Sequence, residues 1–497
     1  MRTVNIPDED SALITPNKSL LFGVIAIILL FSCAGLSAAE LFTDTVLPVE
    51  GKPFRLVVRE DGSSSVRVAH VKICDAKGTV LTEREVPLEK AGNVLQGSIE
   101  AIIPKNGMFK GIARVGETNI ELPIPVVSSK REINLIYYGL DLKGLKRGDA
   151  RWATLVTSCA EDAVAELRAR GVTPLRWHWG SNYLGDLQKQ GNAHTPQSAR
   201  ELAKKMYTDD AAKMRKDGKG YDGFGMDEFG GYTGSEFVEL TKGYVRGIID
   251  SRATHPEGFT MLAWHAGPID PELMGLYKRG VEFLIPESYL LQCVPSQLGT
   301  ELASKDLEGR IMYARANDMF TAPYKSRCRI IPSVDVSDEI PAREYEPFFR
   351  MLRREYPEIR GIAFFNVLKK YPENYKIINQ LCMDYFIKPV LTFQEGSLWH
   401  DRLGSGKVTA CLSNIGGMDS GEVRLRLLAD GREVAAASLS SAPAGFSRCD
   451  NRAVAVFDWN PPEEGTRHLR VEIVKTTDAT VLDPAMEADI YFASESR

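Results

Sequence analysis

The middle of the chain, residues 129–388, alternates short apolar runs with longer stretches of helical periodicity, and this rhythm restricts the fold more than any other feature of the sequence. The apolar runs that we interpret as strands are INLIYYGLD, TPLRWHWG, YDGFGMDEF, FTMLAWHAG, VEFLIPESY, CRIIPSVDV and RGIAFFNV. Alternation of this kind is typical of parallel βα units. A TIM-type (β/α)8 barrel of about 250 residues fits the span. We therefore expect an eighth strand, which the sequence alone does not locate.

An open, doubly wound sheet is the alternative architecture for the same rhythm. It would lead us to expect a glycine-rich phosphate-binding turn after the first strand. The residues at that place are Tyr138-Gly139-Leu140-Asp141, which do not form such a turn motif. The barrel is therefore the favoured prediction.

Both flanks of this segment have the pattern of antiparallel β-structure. Residues 40–128 contain runs such as FRLVVRE and SVRVAHVKICD, separated by turn clusters, and residues 389–497 return to alternation in KVTACLSNIG and HLRVEIV. A chain of 497 residues also exceeds what one hydrophobic core usually serves. The predicted fold class is therefore multidomain α/β plus all-β, with a central barrel flanked by an N-terminal and a C-terminal β-sandwich.

Residues 1–39 predict export. An apolar stretch that starts at Ser19 follows Lys18 and ends at Ser37-Ala38-Ala39, a small-residue pattern typical of signal-peptide cleavage. The stretch approaches the ~20 residues that span a bilayer, so an uncleaved anchor stays open. Cys33 lies in a sequence similar to a lipoprotein lipobox. In each version we expect a secreted, periplasmic or cell-surface protein that meets the membrane only through this segment.

The net charge and the spacing of the cysteines restrict which partners, metals and cofactors the sequence predicts. The formal net charge of −5 comes with no concentration of basic residues, so we expect neither nucleic acid nor an anionic membrane surface as a partner. The cysteines form neither a CxxC pair nor a Cys/His cluster with zinc spacing. We therefore expect no metal ligands and no cofactor.

The last residues of the predicted strands are unusually polar and aromatic. In a βα-barrel the reactive surface is built at the C-terminal ends of the strands, so these side chains are expected to converge on one face. They are Trp177, His178, Trp179, Asp227, Glu228, Trp264, His265, Glu287, Tyr289, Asp335 and Asn366.

Indole rings beside carboxylates suit a carbohydrate, because a sugar offers C–H faces for stacking and hydroxyls for hydrogen bonding. Glycosidic hydrolysis needs two carboxyl groups, one to protonate the leaving oxygen and one to act as nucleophile or base. We assign the catalytic role to Asp227, Glu228 and Glu287 and expect the other strand-end residues to bind the substrate. The sequence therefore predicts an exported glycosidase that acts on a poly- or oligosaccharide.

Strand alternation predicts where the paired acids point. If Phe224 and Met226 face the helices, then Asp227 faces the barrel interior. Glu228 would point outward on a regular strand, but Gly230-Gly231 permits a sharp turn that swings it over the mouth.

The same stretch resembles barrel glycosidases in two ways. Residues 222–227 look like the DGxDxDxE signature of chitinase-type enzymes, although Gly225 replaces one Asp and Phe229 occupies the position of the acid. Alternatively, Asp227-Glu228 is similar to the Asn-Glu pair that ends strand four in the large clan of retaining barrel glycosidases, which implies that Glu228 is the acid/base. At the clan's nucleophile position this chain has Asn366, and Glu287 is the best substitute.

The C-terminal segment resembles the CARDB family of immunoglobulin-like adhesion modules. The resemblance is carried by residues 412–417 (LSNIGG), 428–434 (LADGREV) and 457–461 (FDWNP). It implies an extracellular accessory sandwich.

Two further functions would use the same strand-end residues. A divalent cation ringed by acids and imidazoles would indicate a metal-dependent isomerase or hydrolase. The candidate ligands are His178, Glu228, His265, Glu287 and Asp335. A barrel that binds glycan without catalysis is the other alternative, because Asn366 stands where the related clan has an acid.

Overall fold

The computed structural model describes most of the chain. The described residues are 39–179, 194–217, 220–229, 235–265, 269–286, 329–331, 333–335, 345–365, 374–401, 407–445, 452–461 and 463–493. The predicted export segment at residues 1–38 lies outside them. Within the described part of the chain, no helix combines the length and apolar character needed to span a bilayer.

The N-terminal segment forms two four-stranded antiparallel sheets. Their strands are β1 (Glu40–Thr43), β2 (Pro53–Asp61), β3 (Val68–Asp75), β4 (Val80–Pro87), β5 (Glu89–Ala91), β6 (Val94–Ile102), β7 (Gly107–Val115) and β8 (Thr118–Val126). One sheet has the order β1-β2-β6-β5 and the other has the order β4-β3-β7-β8. Alternate residues such as Leu56 on β2 and Val71 on β3 are fully buried in one cluster that both sheets share. This segment is therefore β-rich, as predicted.

The middle segment forms one parallel sheet that nearly closes on itself. Its strands are β9 (Asn134–Tyr138), β10 (Leu155–Thr157), β11 (Thr173–Trp179), β12 (Gly223–Phe229), β13 (Thr260–His265), β14 (Phe283–Pro286), β15 (Arg329–Ile330), β16 (Ser333–Asp335) and β17 (Gly361–Phe365). The order is β15-β14-β13-β12-β11-β10-β9-β17-β16. Because only Ile331 and Pro332 separate β15 from β16 along the chain, the two edges come together. The sheet is a nearly closed barrel, and the open doubly wound alternative does not hold.

Helices follow the barrel strands. They are α1 (Leu142–Arg147), α2 (Val164–Ala169), α3 (Pro196–Asp217), α4 (Ser235–Ser251), α5 (Pro271–Gly280), α6 (Tyr345–Glu355) and α7 (Asn374–Cys382). Shorter turns are 3-10 at Glu161–Ala163 and Arg252–Thr254 and π-helical at Met383–Ile387.

Local sequence explains where these helices begin and which face they bury. Helix α5 starts at Pro271 because Asp270 caps it, accepting a hydrogen bond from the backbone N–H of Leu273 at 2.7 Å. Helix α6 buries Tyr345, Phe348, Phe349 and Leu352, a spacing of three and four residues that places all four on one stripe. That stripe packs against the outside of the barrel.

The C-terminal segment again forms two four-stranded sheets. Their strands are β18 (Val390–His400), β19 (Val408–Asn414), β20 (Val423–Ala429), β21 (Arg432–Leu439), β22 (Arg452–Phe457), β23 (Gly465–Thr476), β24 (Thr480–Val481) and β25 (Ala485–Phe492). The orders are β22-β19-β18-β24 and β21-β20-β23-β25, and all pairs are antiparallel except β18 with β24. The segment is β-rich, while the resemblance to adhesion modules stays a prediction.

Buried arginines join the barrel to the C-terminal sheets. Arg131 is 3% exposed and Arg353 is 0% exposed. Arg131 donates to the carbonyl of Gly445 at 3.1 Å and Arg353 donates to that of Ile415, and both donate to the carbonyl of Ile359. Burial lowers the pKa of Arg353 to about 9. The junction therefore consists of guanidinium groups bound to backbone carbonyls of both parts.

An ion-pair cluster joins the N-terminal sheets to the barrel. Arg59 on β2 donates two hydrogen bonds, at 2.8 and 2.7 Å, to the carboxylate of Glu166 on α2, and Arg170 donates a third at 2.7 Å. The same two guanidinium groups lie over the ring of Phe42, at 4.7 and 4.5 Å from its centroid. Glu166 holds both arginines together with Glu40, which accepts from Arg170 at 2.8 Å.

Replacing Glu166 by Gln is expected to lower the free energy of unfolding by about 1.5–3 kcal/mol at pH 7, because its partly buried, charge-assisted contacts with two arginines are lost. Burial alone would raise the pKa of Glu166, but the bonds from Arg59 and Arg170 outweigh it and lower the pKa below its usual 4.5. A lowered folded-state pKa stabilises above the unfolded value, and this stabilisation disappears as the pH falls through the folded value. Urea denaturation of both proteins should therefore show a difference at pH 7 that shrinks near pH 3.

Glu121→Gln is the control for this prediction, because Glu121 pairs with Lys110 at 2.9 Å on an exposed surface. Exposed pairs of this kind contribute about 0–1 kcal/mol. An equal loss for Glu166→Gln at both pH values would contradict the proposed role of its charge.

Candidate active site

The structure describes the predicted site residues to different extents. Side chains are described for Trp177, His178, Asp227, Trp264 and His265. The backbone alone is described for Trp179, Glu228 and Asp335. Glu287, Tyr289 and Asn366 lie outside the described residues, so their assignments stay predictions.

Asp227 points into the barrel, as strand alternation predicts. Phe224 and Met226 are fully buried in the cluster beneath the helices, and the ring of Phe224 packs on Tyr207 of α3 at 5.3 Å between centroids. Because successive strand residues lie on opposite faces, Asp227 lies on the interior face of β12. Its side chain is 3% exposed, so a carboxylate sits near the C-terminal end of this strand almost without contact with solvent.

Two donors converge on that carboxylate, one from the neighbouring strand β11 and one from β9, three strands away. The Tyr138 hydroxyl donates to Oδ2 of Asp227 at 2.8 Å, and the indole N–H of Trp177 donates to the same oxygen at 3.2 Å. Burial raises the pKa of Tyr138 well above its usual value, and the adjacent charge of Asp227 raises it further. Tyr138 therefore stays protonated and keeps its role as a donor.

Aromatic rings pack around Tyr138 in the barrel interior. Trp264 is 0% exposed, and its ring lies edge-on to Tyr138 at 5.8 Å and near Phe365 at 5.7 Å between centroids. Its indole N–H donates to Oγ1 of Thr157 at 3.2 Å. The sequence predicts that Trp264 binds substrate, but its ring is fully buried inside the barrel and forms part of the core.

Gly225 makes room for the side chain of Thr157. A Cβ at position 225 would lie 2.7 Å from Cγ2 of Thr157, closer than two carbon atoms can approach. The space beside Gly225 is therefore occupied by Thr157, whose hydroxyl accepts the hydrogen bond of Trp264.

A β-bulge interrupts β12 at the paired acids. Met226 pairs with Ala263 and Phe229 pairs with His265, so three steps along β12 correspond to two along β13. Asp227 and Glu228 together therefore lie opposite Trp264. Bulges are frequent next to active sites, and this one interrupts the regular pairing of β12 with β13 at Asp227 and Glu228.

The two histidines face away from the barrel interior. His178 lies against Tyr207 of α3, with Nδ1 3.4 Å from the Tyr207 hydroxyl. His265 is 1% exposed, and its Nδ1 lies 2.6 Å from the hydroxyl of Tyr277 on α5. The expectation that both imidazoles bind substrate at the mouth is corrected accordingly, because each follows an inward tryptophan and so points outward.

Of the two tryptophans at this site whose side chains the structure describes, Trp177 is the accessible one. Its side chain is 39% exposed although its N–H is bound to the buried Asp227. Its neighbour Leu175, two residues earlier on β11, belongs to the interior cluster of the barrel, so Trp177 continues the interior face toward the mouth. An indole face at the mouth can stack on a sugar ring.

Sequence reasoning missed Tyr138 and Ser158. Tyr138 belongs to the continuous apolar run of β9, in which no alternation distinguishes inward from outward residues. Ser158 follows β10 with φ of 55°, a left-handed conformation that is uncommon outside glycine, and its side chain bonds to Tyr138. The position of Tyr138 at a strand end was the one available signal.

The described residues supply no set of ligands for the alternative function, a metal-dependent isomerase or hydrolase. Among them, no group of three or more His, Cys, Asp and Glu side chains is placed to hold an ion. His178 and His265 also face the helix layer, so they do not converge with Asp227.

Comparisons with known proteins give partial likenesses. No protein-family model matches the sequence, and no curated protein matches it. Among solved structures, the chain is similar to a β-glucuronidase of Bifidobacterium dentium complexed with coumarin-3-O-glucuronide, with a TM-score of 0.31 and 10% identity over 66% of this chain and 61% of that chain. A β-glucuronidase of Parabacteroides merdae gives a TM-score of 0.32 and 7% identity over 91% of this chain and 63% of that chain.

An endo-β-N-acetylglucosaminidase from Cordyceps militaris gives a TM-score of 0.31 and 10% identity over 50% of this chain and 91% of that chain. The chain spans less than two thirds of the length of the two glucuronidases. These neighbours are glycoside hydrolases, but scores this low carry no argument about chemistry, which has to come from the site itself.

Proposed function

We propose that the protein is an exported glycoside hydrolase that cleaves a poly- or oligosaccharide at the C-terminal face of its barrel. One observation carries the proposal: the exposed ring of Trp177 is fixed by the buried carboxylate of Asp227, directly beside Glu228 on β12. The stacking surface and the buried carboxylate thus lie on adjacent strands, and Glu228 is the next residue along β12. This combination suits a substrate that has both C–H faces and an oxygen to protonate.

The architecture that we propose for this site is a TIM-type (β/α)8 barrel. Counting β15 and β16 as one interrupted strand gives eight strands, and the eighth that the sequence did not locate is β10. The β-rich segments on either side would be accessory sandwiches, the C-terminal one similar to CARDB modules. Residues 1–39 would deliver the protein outside the cytoplasm.

Glu228 and Glu287 are the proposed carboxyl pair. Glu228 lies in the bulge of β12, and Glu287 directly follows Pro286, the last residue of β14. One would protonate the leaving oxygen while the other acts as nucleophile or base. A carboxyl separation of about 5–5.5 Å would give retention and one of about 6.5–9.5 Å inversion. Trp179, Tyr289, Asp335 and Asn366 are proposed to complete the sugar-binding mouth.

A panel of soluble polysaccharides and p-nitrophenyl glycosides tests this function. We expect purified protein to release reducing ends or nitrophenol from at least one member, because the site holds both an acid and a stacking surface. The anomeric form of the first product, read by NMR, would assign retention or inversion. Binding of a glycan with no turnover across the panel would favour the non-catalytic alternative instead.

Chelation separates the glycosidase from the metal-dependent alternative. We expect turnover to be the same before and after dialysis against EDTA, since the proposed acid catalysis needs only carboxyl groups. Metal analysis of the same sample is the companion measurement. A stoichiometric ion, with activity lost on chelation and restored by that ion, would contradict the proposal and favour a metal-dependent hydrolase.

A further inference from the structure

Trp177 combines an exposed ring with a bound N–H group. The side chain is 39% exposed, yet its Nε1 lies 3.2 Å from Oδ2 of Asp227. A tryptophan side chain has two χ angles, and a hydrogen bond from its N–H to a fixed acceptor restricts both. The plane of the ring at the mouth is therefore set by the position of one buried oxygen.

Asp227 is poorly placed to act on a substrate directly. It is 3% exposed, and the oxygen that accepts from Trp177 also accepts from the Tyr138 hydroxyl at 2.8 Å. Tyr138 in turn packs edge-on against the fully buried ring of Trp264. A buried carboxylate that is bound by two donors is held as an acceptor, and this use does not require it to give or take a proton.

We propose that Asp227 is a positioning residue whose Oδ2 locks Trp177 as the platform for one pyranose ring of the substrate. Tyr138 donates to the same oxygen, so the three residues form one unit that spans β9, β11 and β12. This inference rests on the proposed glycosidase function for the nature of the ligand. It replaces the predicted catalytic role of Asp227 with that of a hydrogen-bond acceptor that orients Trp177.

Steady-state kinetics on the panel substrate with the highest turnover tests the assignment. Trp177→Phe keeps an aromatic face but loses the N–H, and we expect KM to rise about two- to tenfold with kcat within about threefold of wild type. Asp227→Ala should give the same pattern. Asp227→Asn should return KM close to wild type, because a carboxamide oxygen can still accept both bonds.

The double variant and the pH profile make the test specific. Asp227→Ala should raise KM little further in the Trp177→Phe background, because the bond it removes is already absent. Asp227→Asn should keep both limbs of the kcat profile against pH. A kcat lowered by about 10²- to 10⁴-fold in Asp227→Asn, or the loss of one limb, would overturn the positioning role and return Asp227 to catalysis.

A readout without substrate separates this inference from the proposed function. In protein labelled with ¹⁵N-tryptophan, the indole N–H signal of Trp177 is identified by its absence in Trp177→Phe. We expect slow exchange with solvent in wild type and Asp227→Asn and fast exchange in Asp227→Ala. Equal exchange in wild type and Asp227→Ala would overturn the lock even if glycan is cleaved.

The two ideas can therefore fail separately. A wild-type protein that turns over nothing on the panel defeats the glycosidase proposal, while the exchange rates still decide whether Asp227 holds Trp177. Should Asp227→Ala not fold, Asp227→Asn and Trp177→Phe suffice, because positioning requires wild-type kcat from the first and an altered KM from the second.

Discussion

Glu228→Gln is expected to lower turnover of an unactivated glycan by about 10²- to 10⁴-fold, the usual contribution of a positioned general acid. Gln has nearly the same shape and still accepts hydrogen bonds, but it has no proton to deliver to the leaving oxygen. Binding should persist, so the loss should appear in kcat. Initial rates of reducing-end release on the panel substrate give the measurement.

The leaving group makes this prediction sharper. A p-nitrophenyl glycoside leaves with little protonic assistance, so Glu228→Gln should lose less activity on it than on the natural linkage. Glu257→Gln is the matched control, because Glu257 is exposed in the connection that precedes β13, at the opposite end of that strand from the mouth. Wild-type rates for Glu228→Gln on both kinds of substrate would remove Glu228 from the mechanism.

Trp264→Ala is expected to destabilise the protein by about 3–5 kcal/mol, because it removes a large, fully buried ring from the barrel interior. The ring is 0% exposed, packs on Tyr138 and Phe365, and binds Thr157 through its N–H. Loss of the ring would leave a cavity in the barrel interior and remove the donor to the Thr157 hydroxyl. The midpoint and slope of urea denaturation give the free energy.

Trp399→Ala is the control for size and residue type, since Trp399 on β18 is 37% exposed. We expect it to cost less than about 1 kcal/mol. If Trp264→Ala instead left stability unchanged and raised KM alone, Trp264 would be a sugar platform, as the sequence suggests. A lower free energy of unfolding would thus indicate a packing role for Trp264, and a raised KM alone would indicate a binding role.

Period-two alternation predicted the part of the site that is local to β12. The run from Gly223 to Asp227 keeps one face apolar and the other small, so the inward direction of Asp227 could be predicted without tertiary information. The same rule, applied strictly, also separates Trp177 from His178 and Trp264 from His265. The prediction that both members of each pair lie at the mouth ignores this rule. In the structure His178 and His265 face the helices instead.

Other features depend on which strands become neighbours, and no local pattern contains that information. Strand β10 has three residues, too few for a periodic signal, yet its Thr157 fills the space left by Gly225. The bulge at Asp227 and Glu228 is defined only against β13. Tyr138 reaches Asp227 across 89 positions of sequence.

The arginines under the barrel bear on how the chain is partitioned. Sequence rhythm places a border near residue 388, but Arg353 on α6 donates to the carbonyl of Ile415 beyond it. Cutting the polypeptide there would break this hydrogen bond and expose to water the apolar barrel residues that share a buried cluster with Ile415 and Met418. The C-terminal segment therefore cannot be exchanged without loss of these contacts. We expect the barrel and the C-terminal segment to be inherited together.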